Sequence, residues 1–210
     1  MDARTFREAV ASAKATELNR LGSGNLLVAL TDASLDRESV LAVAADSEYA
    51  AAETFRAWAD DEPVGAAREA FEAVHEQERD HYERVVAHLP DHDPPEPGGP
   101  LHAYLRGLEG AIERAGAGLV GRPLVSTRAH TQVISFFVNE ADEGMADLFR
   151  DLKAETGEEL DRGLDVLSTL CDGEDDWERA RATAEYAVQV AYDDYADALD
   201  GLGLDPRPIC

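Results

Sequence analysis

The sequence predicts an all-α bundle of about seven helices, and three observations predict it. Apolar residues recur at spacings of three and four almost throughout the 210-residue chain. No run of strict apolar–polar alternation is long enough to argue for a strand. The hydrophobic fraction is 44%, enough for a sizeable core and too high for an acidic disordered chain.

Punctuation sets the elements. Helices are expected over about residues 3–20, 35–60, 65–89, 101–120, 127–154, 156–171 and 175–201. Gly22-Ser23-Gly24 ends the first, Pro63 and Gly65 separate the second and third, and Leu89-Pro90 ends the third. Asp91 to Pro100 is a proline-stiffened linker, read as a crossover between two halves of one bundle. Gly121 with Pro123 breaks the pattern again, and Asp172-Gly173 makes the last hinge. Residues 1–210 are thus expected to form a single domain: a hairpin over 35–89, the linker over 90–100, and a second half over 101–210.

Charge narrows the partners. Asp and Glu number 44 against 19 Lys and Arg, a net charge of -25. Such a surface repels phosphate backbones and anionic lipid, so neither nucleic acid nor membrane is an expected partner. Lys14 and Lys153 are the only lysines. We read the pattern as salt adaptation: in molar salt the Debye length falls to about 3 Å, like charges hardly repel, and hydrated carboxylates keep the surface soluble. With no secretory segment after Met1 and no apolar stretch approaching a membrane span, a cytoplasmic location is expected. Cys171 and Cys210 form no CxxC pair, so they build neither a zinc site nor a rubredoxin-type iron site. Cys171 reads as a small core residue and Cys210 as a free thiol.

Most of the acids therefore report the solvent, and the informative ones are those that fall on apolar faces. On a helical wheel the third helix has a stripe of Ala67, Phe71, Val74, Val85 and Leu89, and Glu78 lies roughly 20° from Phe71. His81 follows one turn later at the stripe's edge. In the second helix Glu48 lies roughly 20° from Phe55, among Leu41, Ala44, Ala51 and Trp58. In the first, Glu17 shares a face with Phe6, Val10, Ala13 and Leu21. A buried carboxylate costs several kcal/mol unless it is neutralised, paired or bound to a metal. Glu78-Arg79-Asp80-His81 is Glu-x-x-His, whose first and last residues project to one side of a helix and can share an ion. Glu48, Glu78 and His81 are accordingly candidate metal ligands, with Glu17 and His130, which sits within the apolar face of the fifth helix, as additional candidates. Lys14, one turn before Glu17, offers that acid a simpler partner.

Residues 46–55 and 71–84 resemble the first two bundle helices of the rubrerythrin family, within the ferritin-like superfamily. In that family the first segment supplies a glutamate, matched by Glu48, and the second supplies Glu-x-x-His, matched by Glu78 and His81. The resemblance covers roughly residues 35–90 and implies a ferritin-like bundle holding a di-iron or manganese centre. It also implies oxidation of ferrous iron by peroxide or oxygen, with glutamates bridging the metals and His81 holding one of them. Bundles of this kind often form homodimers, although no exposed apolar stripe marks an interface here. The second half-site departs from the pattern, because no Glu-x-x-His follows residue 81. The nearest echo is Glu140-Ala141-Asp142-Glu143, on the border of its apolar face. The rubredoxin-like domain is missing too, so a peroxidase of this design would need an external electron donor.

Two other readings compete. Arg181, on the inner face of the last helix with Trp177, Ala184, Val188, Tyr192 and Tyr195, could pair with Glu48 or Glu78 and leave a metal-free structural or interaction module with an Arg–Glu core network. A helical small-molecule enzyme of the thiaminase or haem-oxygenase kind would instead require an apolar pocket with an acid at its base. His75-Glu76-Gln77-Glu78-Arg79 lacks the second histidine of a zincin, and no phosphate loop or Gly-x-Ser-x-Gly elbow occurs. His88, His92 and His102, which flank the linker, are expected to be solvated, and Tyr186, Tyr192 and Tyr195 to pack between helices.

Overall fold

The structure is a computed structural model that describes residues 2–93 and 98–206. The Cys210 thiol and the centre of the proline linker lie outside the described residues. Among those described, every regular element is helical. Asp2 and Asp36 start α1 (Ala3–Ala13) and α4 (Arg37–Asp61), each side chain accepting the N–H three residues on, at 2.8 Å from Thr5 and 2.9 Å from Ser39. Between them run α2 (Ala15–Leu21) and α3 (Asn25–Leu30), the latter unexpected from the sequence because its six residues are too few to show a period. The segment α5 (Gly65–Val86) returns along α4. Then come α6 (Pro100–Arg106), α7 (Ala111–Arg114), α8 (Arg122–Asn139), α9 (Glu143–Leu170) and α10 (Glu174–Gly201).

Two expected breaks are absent. Gly121 and Pro123 do not interrupt the chain, because α7 passes into a π-helical segment, Ala115–Gly121, that leads directly into α8. Proline in an α-helix lacks an N–H and crowds the carbonyl four residues back, and here the wider π turns immediately precede Pro123, at the start of α8. Nor does a boundary fall near residue 155. The break lies instead at Glu140–Asp142, where Ala141 takes a left-handed conformation (φ 57°) and Asp142 caps α9 by accepting Met145 N–H at 3.1 Å. The acids Glu140 and Glu143, the sequence's nearest echo of a second half-site, are consequently exposed beside this turn.

Four long helices carry the interior: α4 lies along α5, α8 along α9, and α5 meets α9. Their apolar residues divide into two clusters. One holds Phe55, Trp58, Phe71, Val74, Leu124 and Leu160; the other holds Leu41, Val85, Val133, Phe137, Phe149 and Leu152. Chain order then fixes direction, since α4 and α9 run from the second cluster to the first whereas α5 and α8 run from the first to the second. Successive α5 and α8 thus point the same way, and the segment between them must cross the length of the bundle. Arg114 secures that crossover by bonding Asp61 at 2.7 Å and Glu62 at 3.3 Å, at the end of α4.

Small residues let the π segment sit deep. A Cβ at Gly118 would strike the Trp58 ring, and one at Gly121 would come within 2.7 Å of the Ala184 carbonyl on α10. Gly121→Ala should therefore destabilise the protein by about 1–3 kcal/mol in urea unfolding, since a backbone carbonyl cannot move aside cheaply. Gly157→Ala, in open space within α9, should stabilise by about 0.5–1 kcal/mol.

Candidate metal centre

Between the two apolar clusters each of the four helices turns a polar side chain inward at one level. The helix α4 supplies Glu48, α5 supplies Glu78 and His81, α8 supplies Arg122 and His130, and α9 supplies Glu155 and Glu159. All but Glu155 are buried. Glu48, Glu78 and His81 come together as the sequence predicts, each offering one ligand atom within 4.8 Å of the others. His81 Nδ1 lies 3.7 Å from Glu48 Oε2 and 3.8 Å from Glu78 Oε2.

Outer partners orient these groups. His81 Nε2 is 2.7 Å from Glu155 Oε2, and Arg84 donates to both oxygens of Glu155 at 2.9 and 3.1 Å. A carboxylate on one imidazole nitrogen is how proteins fix the tautomer of a metal-binding histidine, leaving the other nitrogen free to bind. That other nitrogen, Nδ1, has no hydrogen-bond partner although it is fully buried, and neither has Glu78 Oε2. Two atoms each about 2.0–2.2 Å from one ion can lie at most about 4.3 Å apart, so the observed separations fit a shared ion. Three donor atoms from two helices, two of them orphaned, thus form a cluster that could hold a metal.

Protons are distributed unevenly across it. Burial pushes Glu78 well above the usual carboxylate range, further than neighbouring Arg122 can pull it back, and the charge of Glu48 adds to the rise. Glu48 is equally buried, yet the adjacent Glu78, His130 and His81 groups outweigh the desolvation and hold it well below that range. Burial alone would lower His81, but Glu48 and Glu155 outweigh it and raise the imidazole above its ordinary value. His130 Nε2 meets Glu48 Oε1 at 3.0 Å, so the fifth-helix histidine, expected as an additional ligand, reaches the cluster through Glu48.

The cation paired with Glu78 is Arg122, not the expected Arg181. Its guanidinium donates to Glu78 Oε1 at 2.8 Å, forms a short ion pair with Glu159, and lies over the Phe55 ring at 5.2 Å. Arg181 instead bonds Glu185 at 2.7 Å on a partly exposed face. Glu17 stands apart from the cluster, 3.8 Å from Lys14 on α2. Arg122, Glu155 and Glu159 are the members not expected from the sequence; the two glutamates carry a usable signal, since they stand four residues apart on one face of a helix. The boundary expected at 155 divides that face.

The interior beside Glu48 is open. A cavity of about 460 Å³ is walled by aliphatic residues of α3, α4, α8 and α10, with Glu48, Arg122, His130 and His102 at its polar side. His102 is therefore buried, contrary to expectation, and burial with the charges of Arg122 and Arg106 pushes it down to about 3. His92 is likewise held, 2.9 Å from Asp46. No helix of the described residues is long and apolar enough to cross a membrane.

Fold and site together define an all-helical protein with a buried carboxylate–histidine cluster able to hold a metal. In comparisons with known proteins no family model matches this chain, and neither does any curated protein or any solved structure.

Arg122→Met should cost about 3–5 kcal/mol in urea unfolding of chelator-treated protein, because Glu159 is left buried without its cation. Adding Glu159→Leu should recover most of that loss, since Glu78 is already driven toward its neutral form. His102 supplies a pH test. Below its unfolded value of 6.5 the unfolded chain takes up a proton that the folded chain refuses until about 3. Its stability contribution is full above pH 6.5 and is lost as pH falls toward 3, at up to about 1.4 kcal/mol per unit. His102→Gln should flatten the pH dependence of unfolding over that window relative to the parent.

Proposed function

We propose that the chain is a ferritin-like, rubrerythrin-related protein that binds one iron or manganese ion through Glu48, Glu78 and His81, with His130 bracing Glu48. The observation that carries this reading is the orphaned His81 Nδ1, its ring fixed from behind by Glu155 and Arg84. Antiparallel α4 and α5, a crossover, and antiparallel α8 and α9 support the ferritin-like assignment. When bound, the ion would supply one-electron chemistry toward peroxide or oxygen, or a station for handling ferrous iron, with electrons from an external donor. Glu48 and Glu78 would neutralise the charge of an ion in this buried site, and Arg122 places a fixed positive charge between Glu78 and Glu159. That charge argues for one ion in place of two.

The same guanidinium favours a second reading, a metal-free structural or interaction module in which Arg122 and the carboxylates form a permanent network. The acid-rich surface supports a high-salt cytoplasm and opposes nucleic-acid and membrane partners, and the family resemblance supports a homodimer.

Metal analysis of protein purified without chelator should find about one iron or manganese per chain, lost in Glu78→Ala and in His81→Ala. Reconstituted protein should gain about 2.7 kcal/mol of stability at a free metal concentration one hundred times Kd. Glu78 and His81 both hold protons more tightly than usual, so protons compete with the ion and its affinity should rise with pH. No metal in the parent or after reconstitution leaves the Arg–Glu network as the function of the layer.

A further inference from the structure

The cavity beside Glu48 is not needed to bind an ion. Its aliphatic wall comes from short α3 on one side and from α4, α8 and α10 on the others, and Leu30 on α3, 44% exposed, stands at its rim. Its polar side is built. Glu48, His130 and His102 are all more than nine-tenths buried and line it, and His130 Nδ1 and His102 Nδ1 have no hydrogen-bond partner. Buried polar atoms without partners are costly, and a dry apolar cavity offers them nothing. A volume of about 460 Å³ is within the range of sites for small organic ligands, roughly 300–1,000 Å³.

We infer that this cavity binds a neutral, chain-like apolar molecule carrying one hydrogen-bonding end group of the alcohol or aldehyde class, with that end at His102, His130 and Glu48. The aliphatic wall takes the chain. Charges of both signs select the end group: Glu48, Asp46 and Asp194 line the cavity and oppose a carboxylate, whereas Arg122 and Arg106 act on His102 and oppose an ammonium there, which leaves a neutral group. A hydroxyl both donates and accepts, and so suits an imidazole nitrogen in either tautomer. Since Glu48 belongs to both sites, a molecule held here has its polar end beside the metal cluster. The binding itself does not depend on the ion.

The test titrates 1-decanol, decanoate and decylamine into the full chain in molar potassium chloride by calorimetry, with and without prior chelation. Decanol should bind saturably in both preparations, and decanoate at least tenfold more weakly. His102→Leu should weaken decanol about tenfold. Ala129→Trp, which fills the cavity from α8, should abolish binding with helical circular dichroism retained; Ala29→Trp on the covering helix α3 makes the same test if the first variant unfolds. Binding of none of the three probes overturns the inference, as does undiminished binding in a folded cavity-filling variant. Tighter binding of decanoate or decylamine overturns the neutral end group. Decanol binding without any metal content would remove the ion alone and leave the cavity assignment in force.

Discussion

A guanidinium withheld from water must find its hydration shell in the protein, and Arg122 finds it in Glu78, Glu159 and the face of Phe55. These partners belong to α5, α9 and α4, so one side chain ties three helices to a fourth. Apolar packing alone would tolerate several axial offsets between helices, because leucine fills a neighbouring gap about as well as its own. The polar layer does not. Sliding α5 by one turn would set Glu78 against an apolar cluster and strip Arg122 of a partner. The layer therefore defines the level at which all four helices align, and the two hydrophobic clusters are what remains on either side of it.

The first half of that layer is legible in the sequence and the second is not, for a physical reason. Glu48 and Glu78 stand inside apolar stripes, so their wheel positions identify them directly, and His81 follows Glu78 at the spacing of a shared ligand pair. Arg122 follows a stretch rich in glycine and alanine, where no stripe exists to violate, and the π turns shift the phase of whatever comes next. Glu159 lies on an uninterrupted helix whose break was expected at 155, and a boundary in the wrong place divides a face in two. Arg181 looked suitable because its wheel position is apolar, yet a long side chain at the margin of a stripe reaches solvent and takes the nearest acid, Glu185. Burial of His102 is invisible locally, since it depends on α4 and α10 packing against a segment distant in sequence.

Two populations of acid coexist in this chain and obey opposite rules. Those outside stay soluble by holding water and counter-ions, and their spacing matters little in strong salt. Those inside have lost both, so their immediate neighbours set their hold on a proton: Glu48 is driven well below the usual carboxylate range and Glu78 well above it, although both are buried. A neighbour that can donate, such as His130 or His81, counts for more at this depth than the net charge of the whole protein.

The π segment before α8 is a place where chain length can change without cost to the layer. Five-residue hydrogen-bonded turns hold more chain per revolution than α turns, so the seven π residues from Ala115 to Gly121 rotate the chain about as far as one fewer residue would in an α-helix. Loss of a single residue there, with a return to α geometry, would leave the phase of α8 nearly unchanged and keep Arg122 and His130 in the interior. A deletion just after the segment has no such reserve and would turn the rest of α8, His130 included, by about 100°.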